Sequence, residues 1–120
     1  MSMIDLLLAA DTSKLTETPT AQLEVSRLSA LFGKPFKVTI HALTMKEVDN
    51  LPRGDDFKLH MILSAVSDPD FRSKDLAVKL TPKDRKTPYT PIEAINHLLL
   101  PGEVMNIYNE ITDLSGYGAD

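Results

Sequence analysis

Apolar residues recur at helical spacing through the last quarter of the chain and alternate with polar ones through its second quarter. Ile92, Ile95, Leu98 and Leu99 stand three or four positions apart before Pro101, and Val104, Ile107, Tyr108, Ile111 and Leu114 continue the pattern after it. This spacing predicts helices over 91–99 and 101–114. Proline suits the first position of a helix and drives the residue before it out of the α conformation, so Leu100 leaves the first helix as Pro101 opens the second. Glu103 then falls in the first turn, where its charge suits the helix dipole, and Gly116 can supply a left-handed stop.

Upstream, Phe36-Lys37-Val38-Thr39-Ile40-His41-Ala42 alternates strictly and carries β-branched residues, which predicts a half-buried strand. Leu23 and Val25 alternate with Glu24 and Ser26, and with Phe32-Gly33-Lys34-Pro35 as the connection the two runs read as a β-hairpin over 22–42. Leu28, Leu31 and Phe32 in the first arm also suit a helix turn. Thr44 and Glu47 have the spacing of a capping box, flanked by Leu43 and Val48 as a staple, so a short helix is expected over 45–51, ended by Pro52 and Gly54. The run 56–66 alternates in part like a strand (Phe57, Leu59, Met61), but its length and the Leu59, Ile62, Leu63, Val66 face favour a helix. Ser67-Asp68-Pro69-Asp70 is a turn, and Ser73 caps a helix over 74–80. Thr90-Pro91-Ile92-Glu93 repeats the capping pattern.

These elements describe an α+β fold: a mainly α-helical single domain over 22–120 with an N-terminal β-hairpin, preceded by an arm over 1–21. The arm is expected to be partly flexible, with two possible helical turns over 3–10 and a polar stretch, Asp11 to Thr20, anchored by Leu15 alone. A length of 120 residues suits one core and not two. Hydrophobic residues at 42% and charged residues at 25% match a globular protein, which argues against wholesale disorder.

Composition narrows the chemistry. With no cysteine, disulfides, thiolate metal sites and thiol nucleophiles are excluded. A net charge of −4 offers no general attraction for nucleic acid or an anionic membrane. The one basic run, Lys79 to Lys86, is broken by Pro82 and Asp84 and lacks interleaved aromatic residues, so it reads as a solvated loop. The short apolar run near Leu6 carries Asp5 where a signal peptide carries positive charge, and neither export nor membrane spanning is expected. His41, His60 and His97 have no partner at ligand spacing, the Asp55-Asp56 and Asp68/Asp70 pairs are explained by capping and turns, and the serines lack a nucleophile-elbow context. No catalytic, cofactor or metal site is predicted, and an enzyme is not expected. What remains is apolar surface on Leu6 to Leu8, 59–66, 98–100 and 104–114, more than one small core readily covers.

The ordered series of motifs resembles a known family. The strand 36–42 leading into Leu43-Thr44-x-x-Glu47, the Asp68-Pro69-x-Phe71 turn, the Thr90-Pro91 start, the Leu98-Leu99-Leu100-Pro101-Gly102-Glu103 join and the Leu114-Ser115-Gly116-Tyr117 ending together resemble the tail assembly chaperones of long-tailed phages and related prophages, of the type found in defective Bacillus prophages. The likeness runs from about Gln22 to Tyr117 and departs at Lys79 to Thr87, which is more basic and proline-interrupted here. It implies a non-enzymatic protein of the bacterial host cytoplasm, absent from the mature virion. Such a protein binds the tape measure protein, keeps it soluble and yields as the tail tube protein polymerises. The resemblance also implies a homo-oligomer and, in many such systems, a frameshifted longer form. The residues expected to meet partners are Leu99, Leu100, Val104, Ile107, Tyr108, Ile111, Leu114 and Tyr117. Asp at Ile107 or Tyr108 is expected to abolish co-purification with a tape measure fragment while the monomer stays folded. A small virion structural protein, such as a tail completion or connector subunit, is the alternative.

Overall fold

A computed structural model describes residues 2–116. In chain order the elements are α1 (Met3–Ala9), α2 (Thr12–Leu15), β1 (Thr20–Glu24), α3 (Ser26–Phe32), β2 (Lys37–His41), α4 (Met45–Asp49), α5 (Phe57–Ala65), β3 (Val66–Asp68), α6 (Lys74–Leu80), α7 (Pro91–Leu98) and α8 (Pro101–Leu114). The mixed α+β character agrees with the sequence reading, and the bounds of α6 and α8 coincide with the predicted ones.

The predicted hairpin is corrected. β1 and β2 do pair antiparallel, with Leu23 opposite Val38 and Ala21 opposite Ile40, but α3 stands between them instead of a tight turn. Leu28 is the deciding residue: it is buried on α3, and a strand continuing through Ser26 and Arg27 would not carry it into the core. Gly33, at φ 70°, is the left-handed stop of that helix, its N–H donating to the Ser29 carbonyl at 2.9 Å. The Ser29 hydroxyl accepts from the Phe36 N–H at 2.7 Å and so aims the chain into β2.

β2 is the middle strand of three, because β3 pairs on its other edge with Ile40 opposite Val66 and a register irregularity beside Thr39. The apolar spacing predicts a helix through Val66. The helix stops one residue earlier, since Val66 is β-branched, buried and paired with the sheet, and Asp68-Pro69 then ends the strand. Val38 and Ile40 are fully buried on the inward face of β2, while Ala21 and Leu23 of β1 are partly buried against the core.

α5 is the centre of the helical layer. It contacts α8, α7 and β3, and Leu59, Met61, Ile62 and Ala65 are buried around it, which explains why its sequence mixes two periodicities. Ile95 of α7, Ile107 and Ile111 of α8 and Phe71 from the turn after Pro69 complete the core. α6 packs against α7, and the Thr81 hydroxyl joins them by donating to the Ala77 carbonyl at 2.6 Å and accepting from the Tyr89 N–H at 2.8 Å. The capping boxes at Thr44/Glu47 and Thr90/Glu93 are both formed. The Ser115 hydroxyl accepts from the Leu43 N–H at 2.9 Å, tying the end of α8 to the exit of β2.

α1 and α2 precede the sheet and neither helix buries a residue, but Thr20 and Ala21, which the sequence assigns to the arm, belong to β1 and pair with His41 and Ile40. The radius of gyration is 17.5 Å. A compact chain of this length would give about 14 Å. The molecule is therefore extended, with axes of 66 × 33 × 24 Å.

Replacing Ile95, which has no exposed surface, by Ala should destabilise the fold by about 2–5 kcal/mol, the cost of a cavity in a packed core. Thr44→Ala, which removes one half of a capping box, should cost only about 1 kcal/mol. Urea denaturation midpoints at unchanged slope read both.

Candidate functional site

The join between α7 and α8 is made as the prolines dictate. Leu99 and Leu100 are extended, and Pro101 opens α8. Leu100 has no side-chain acceptor with which to cap the helix, so Glu103 acts alone: its carboxylate accepts from the Leu100 N–H at 2.8 Å. The same carboxylate receives a two-pronged contact from Arg27 of α3, with Nε at 3.0 Å and Nη2 at 2.9 Å, and Arg27 Nη2 also donates to the Leu98 carbonyl at 2.7 Å. One guanidinium thus holds the last turn of α7, the first turn of α8 and α3 together. Nothing in the sequence signalled Arg27, which lies 76 positions from Glu103.

α8 turns its inner face to the core. Ile107 and Ile111 are 1% and 0% exposed, and Leu99 is also buried. These three residues of the expected partner surface are committed to the monomer's own packing. The expectation for Ile107→Asp is corrected accordingly: a charge there would break the core, so the variant cannot report on docking. Val104, Tyr108 and Leu114 are half-buried against the core edge, Leu100 is exposed, and Tyr117 lies outside the described residues.

Tyr108 instead forms one wall of an open groove between α4, α5 and α8. A cavity of about 370 Å³ is lined by Val48, Arg53, Phe57, Met61, Tyr108 and Thr112. Its aromatic rings are covered by cations: the Arg53 guanidinium lies 4.8 Å from the Phe57 ring centre, and the Lys58 ammonium 5.3 Å from that of Tyr108. The groove therefore has an apolar floor and a cationic rim, a shape suited to one side of an amphipathic helix. Phe57 and Met61 are four positions apart on α5, a spacing visible in the sequence, whereas the approach of α4 is not.

The basic run is an exposed loop over 82–87, as expected, and one of its residues makes a defined contact. Arg85 pairs with Glu93 at 2.8 Å and stacks over Tyr89 at 4.8 Å, and Tyr89 lies against His97. Hydrogen bonds from the Thr90 backbone and from Arg85 hold the Glu93 carboxyl below the usual range, against the opposing effect of desolvation. Among the described residues, no group of three or more His, Asp and Glu side chains is placed to hold a metal ion, and no helix is long and apolar enough to cross a membrane.

Arg27 also sets the pH response of the join. Its hydrogen bonds, with help from the Leu100 N–H and the guanidinium charge, hold the Glu103 carboxyl below its ordinary value, although desolvation opposes them. A lowered folded-state pKa contributes stability that is complete above the ordinary value and is lost as the pH falls through the folded one. The stability gap between the wild type and Glu103→Gln should thus be constant near neutrality and narrow as the pH drops below 4.5. Urea denaturation at a series of pH values measures it, and a gap unchanged into acid would deny the carboxylate's charge any part.

Residues 53–120, more than half of the chain, match the model of a family described as phage XkdN-like tail assembly chaperone protein. The match covers α5 to α8 and the Leu-Pro-Gly-Glu join, and begins downstream of β2 and the Thr44 capping box. No curated protein and no solved structure matches the chain. On the strength of that match, the chain belongs to the phage XkdN-like tail assembly chaperone family.

Proposed function

We propose that this chaperone binds the phage tape measure protein during tail assembly, seating apolar helical stripes of that client in the groove between α4, α5 and α8. Membership of a tail assembly chaperone family implies a non-enzymatic role in tail assembly and protein partners among the tail components. The observation that supports the finer reading is the groove itself, floored by the buried Val48 and Met61 and walled by Phe57 and Tyr108, with Arg53 and Lys58 over the two rings. A long helical client repeats its apolar stripe many times before the tube encloses it. Helix-in-groove contacts repeated by several copies of the chaperone give avidity, while each single contact stays weak enough to be displaced by polymerising tail tube subunits.

On this reading the protein acts in the bacterial host cytoplasm and leaves before the virion is complete. A frameshifted longer form, where the gene makes one, would extend beyond α8 and engage further tail components. Val104 and Leu114, half-buried on α8 outside the groove lining, would adjust to the client, and Leu100 would extend the contact past the join.

Tyr108→Asp and Arg53→Glu place negative charge on the wall and the rim of the groove. Each should weaken binding of a purified tape measure fragment by about tenfold or more, while the thermal melt of the chaperone stays cooperative. Binding by calorimetry or co-purification checks it. Unchanged affinity in both variants would remove this groove from the reading, and recovery of the protein in purified particles would favour a virion subunit instead.

A further inference from the structure

The charges at the groove between α4, α5 and α8 are of one sign. Arg53 is the one charged residue in its lining, and Lys58 lies over the ring of Tyr108. Both cations are exposed, and among the described residues neither makes an ion pair. Their partners are aromatic faces instead, Phe57 under Arg53 and Tyr108 under Lys58.

The acids of the neighbourhood are held elsewhere. Asp49, Asp55 and Asp56 fall outside the lining. On α8, Glu103, Glu110 and Asp113 are turned at least about 100° around the helix from Tyr108 and Thr112, and Glu103 is already paired with Arg27. Met105, 41% exposed, continues the groove flank of α8 one turn before Thr112's side and adds no charge. An apolar stripe seated on Phe57 and Tyr108 takes over the ring faces, so the guanidinium and the ammonium must turn aside. A cation on the incoming helix repels them there, whereas a carboxylate gives each a new attractive partner.

We infer that the groove selects amphipathic helices whose apolar stripe is bordered by carboxylates, which pair with Arg53 and Lys58 as these leave the rings. The inference rests on the reading of this groove as the client site, and it names the charge that the client segment carries. Complementarity of this kind sets register and choice of partner more than raw affinity. It also runs against the charge of the whole chain, −4, which taken alone favours a basic client. At physiological salt the Debye length is about 8 Å, so the two cations at the groove outweigh acids beyond that reach.

The test uses the whole chain and two synthetic helical peptides with the same leucine stripe, one bordered by Glu and the other by Lys. Two exposed attractions gained against two repulsions amount to about a tenfold preference for the Glu peptide at low salt. Calorimetry should show that preference, and it should shrink at about 1 M salt, where the Debye length is about 3 Å. The double variant Arg53→Gln/Lys58→Gln should bind the two peptides alike, with a cooperative melt as the control for folding. Equal binding by the wild type, tighter binding of the Lys peptide, or a preference that survives in the double variant would overturn the inference. Tyr108→Ala, which removes a wall without adding charge, separates this failure from that of the client reading. If it weakens both peptides while no preference exists, the groove stands as the client site and only the charge selection falls. If neither peptide binds, or Tyr108→Ala leaves both affinities as they were, the client reading and the inference fall together. A peptide affinity that drops as the chaperone concentration rises would place a second copy in the groove, and it too would overturn the inference.

Discussion

Burial of Ile107 and Ile111 is the interaction on which the rest of the structure depends. It fixes α8 against α5, and α5 in turn meets α7 and the sheet, so one helix–helix seam sets the position of every other helix in the matched region. It also decides which side chains remain for partners. Tyr108 is adjacent to Ile107 in the chain but turned about 100° around the helix, which brings it to the edge of the core beside Phe57. The wall of the groove and the anchor of the core are thus neighbouring residues, and on the proposed reading a substitution at Tyr108 tests binding while one at Ile107 tests folding.

A second constraint acts through charge. The Leu100-Pro101 join removes helical hydrogen bonds where two helices meet, and Arg27 and Glu103 supply replacements that span three elements. Because α3 lies in the N-terminal half and the join in the C-terminal half, this contact couples the sheet's connection to the region that defines the family. Arg85 and Glu93 do similar work at the start of α7, where Arg85 of the exposed basic loop stacks on Tyr89 and pairs with Glu93.

Features governed by near neighbours were legible in the sequence. The capping boxes at Thr44/Glu47 and Thr90/Glu93 and the limits of α6 and α8 depend on residues within one turn, and the structure has them where spacing placed them. Gly33 was ambiguous because the same left-handed residue serves a hairpin or a helix end, and only burial of Leu28 chooses between them. β3 is three residues long and exists because Ile40 is there to pair with Val66, which no local pattern shows. In the candidate site, the sequence identified the apolar stripe of α8 but not its division into core and edge, since an amphipathic stripe records which residues avoid water and not what covers them. The contributions of Val48 and Arg53 to the groove arise from tertiary approach alone.

The central claim is that the client meets the groove between α4, α5 and α8 while the inner face of α8 stays packed. Methyl NMR during titration with a tape measure fragment tests it most directly. The account predicts that the methyl signals of Val48, Met61 and Thr112, which line the groove, shift as the fragment is added, while those of Ile95 and Val38 in the core hold their positions. Shifts confined to other surfaces, or a collapse of the core signals on binding, would contradict it.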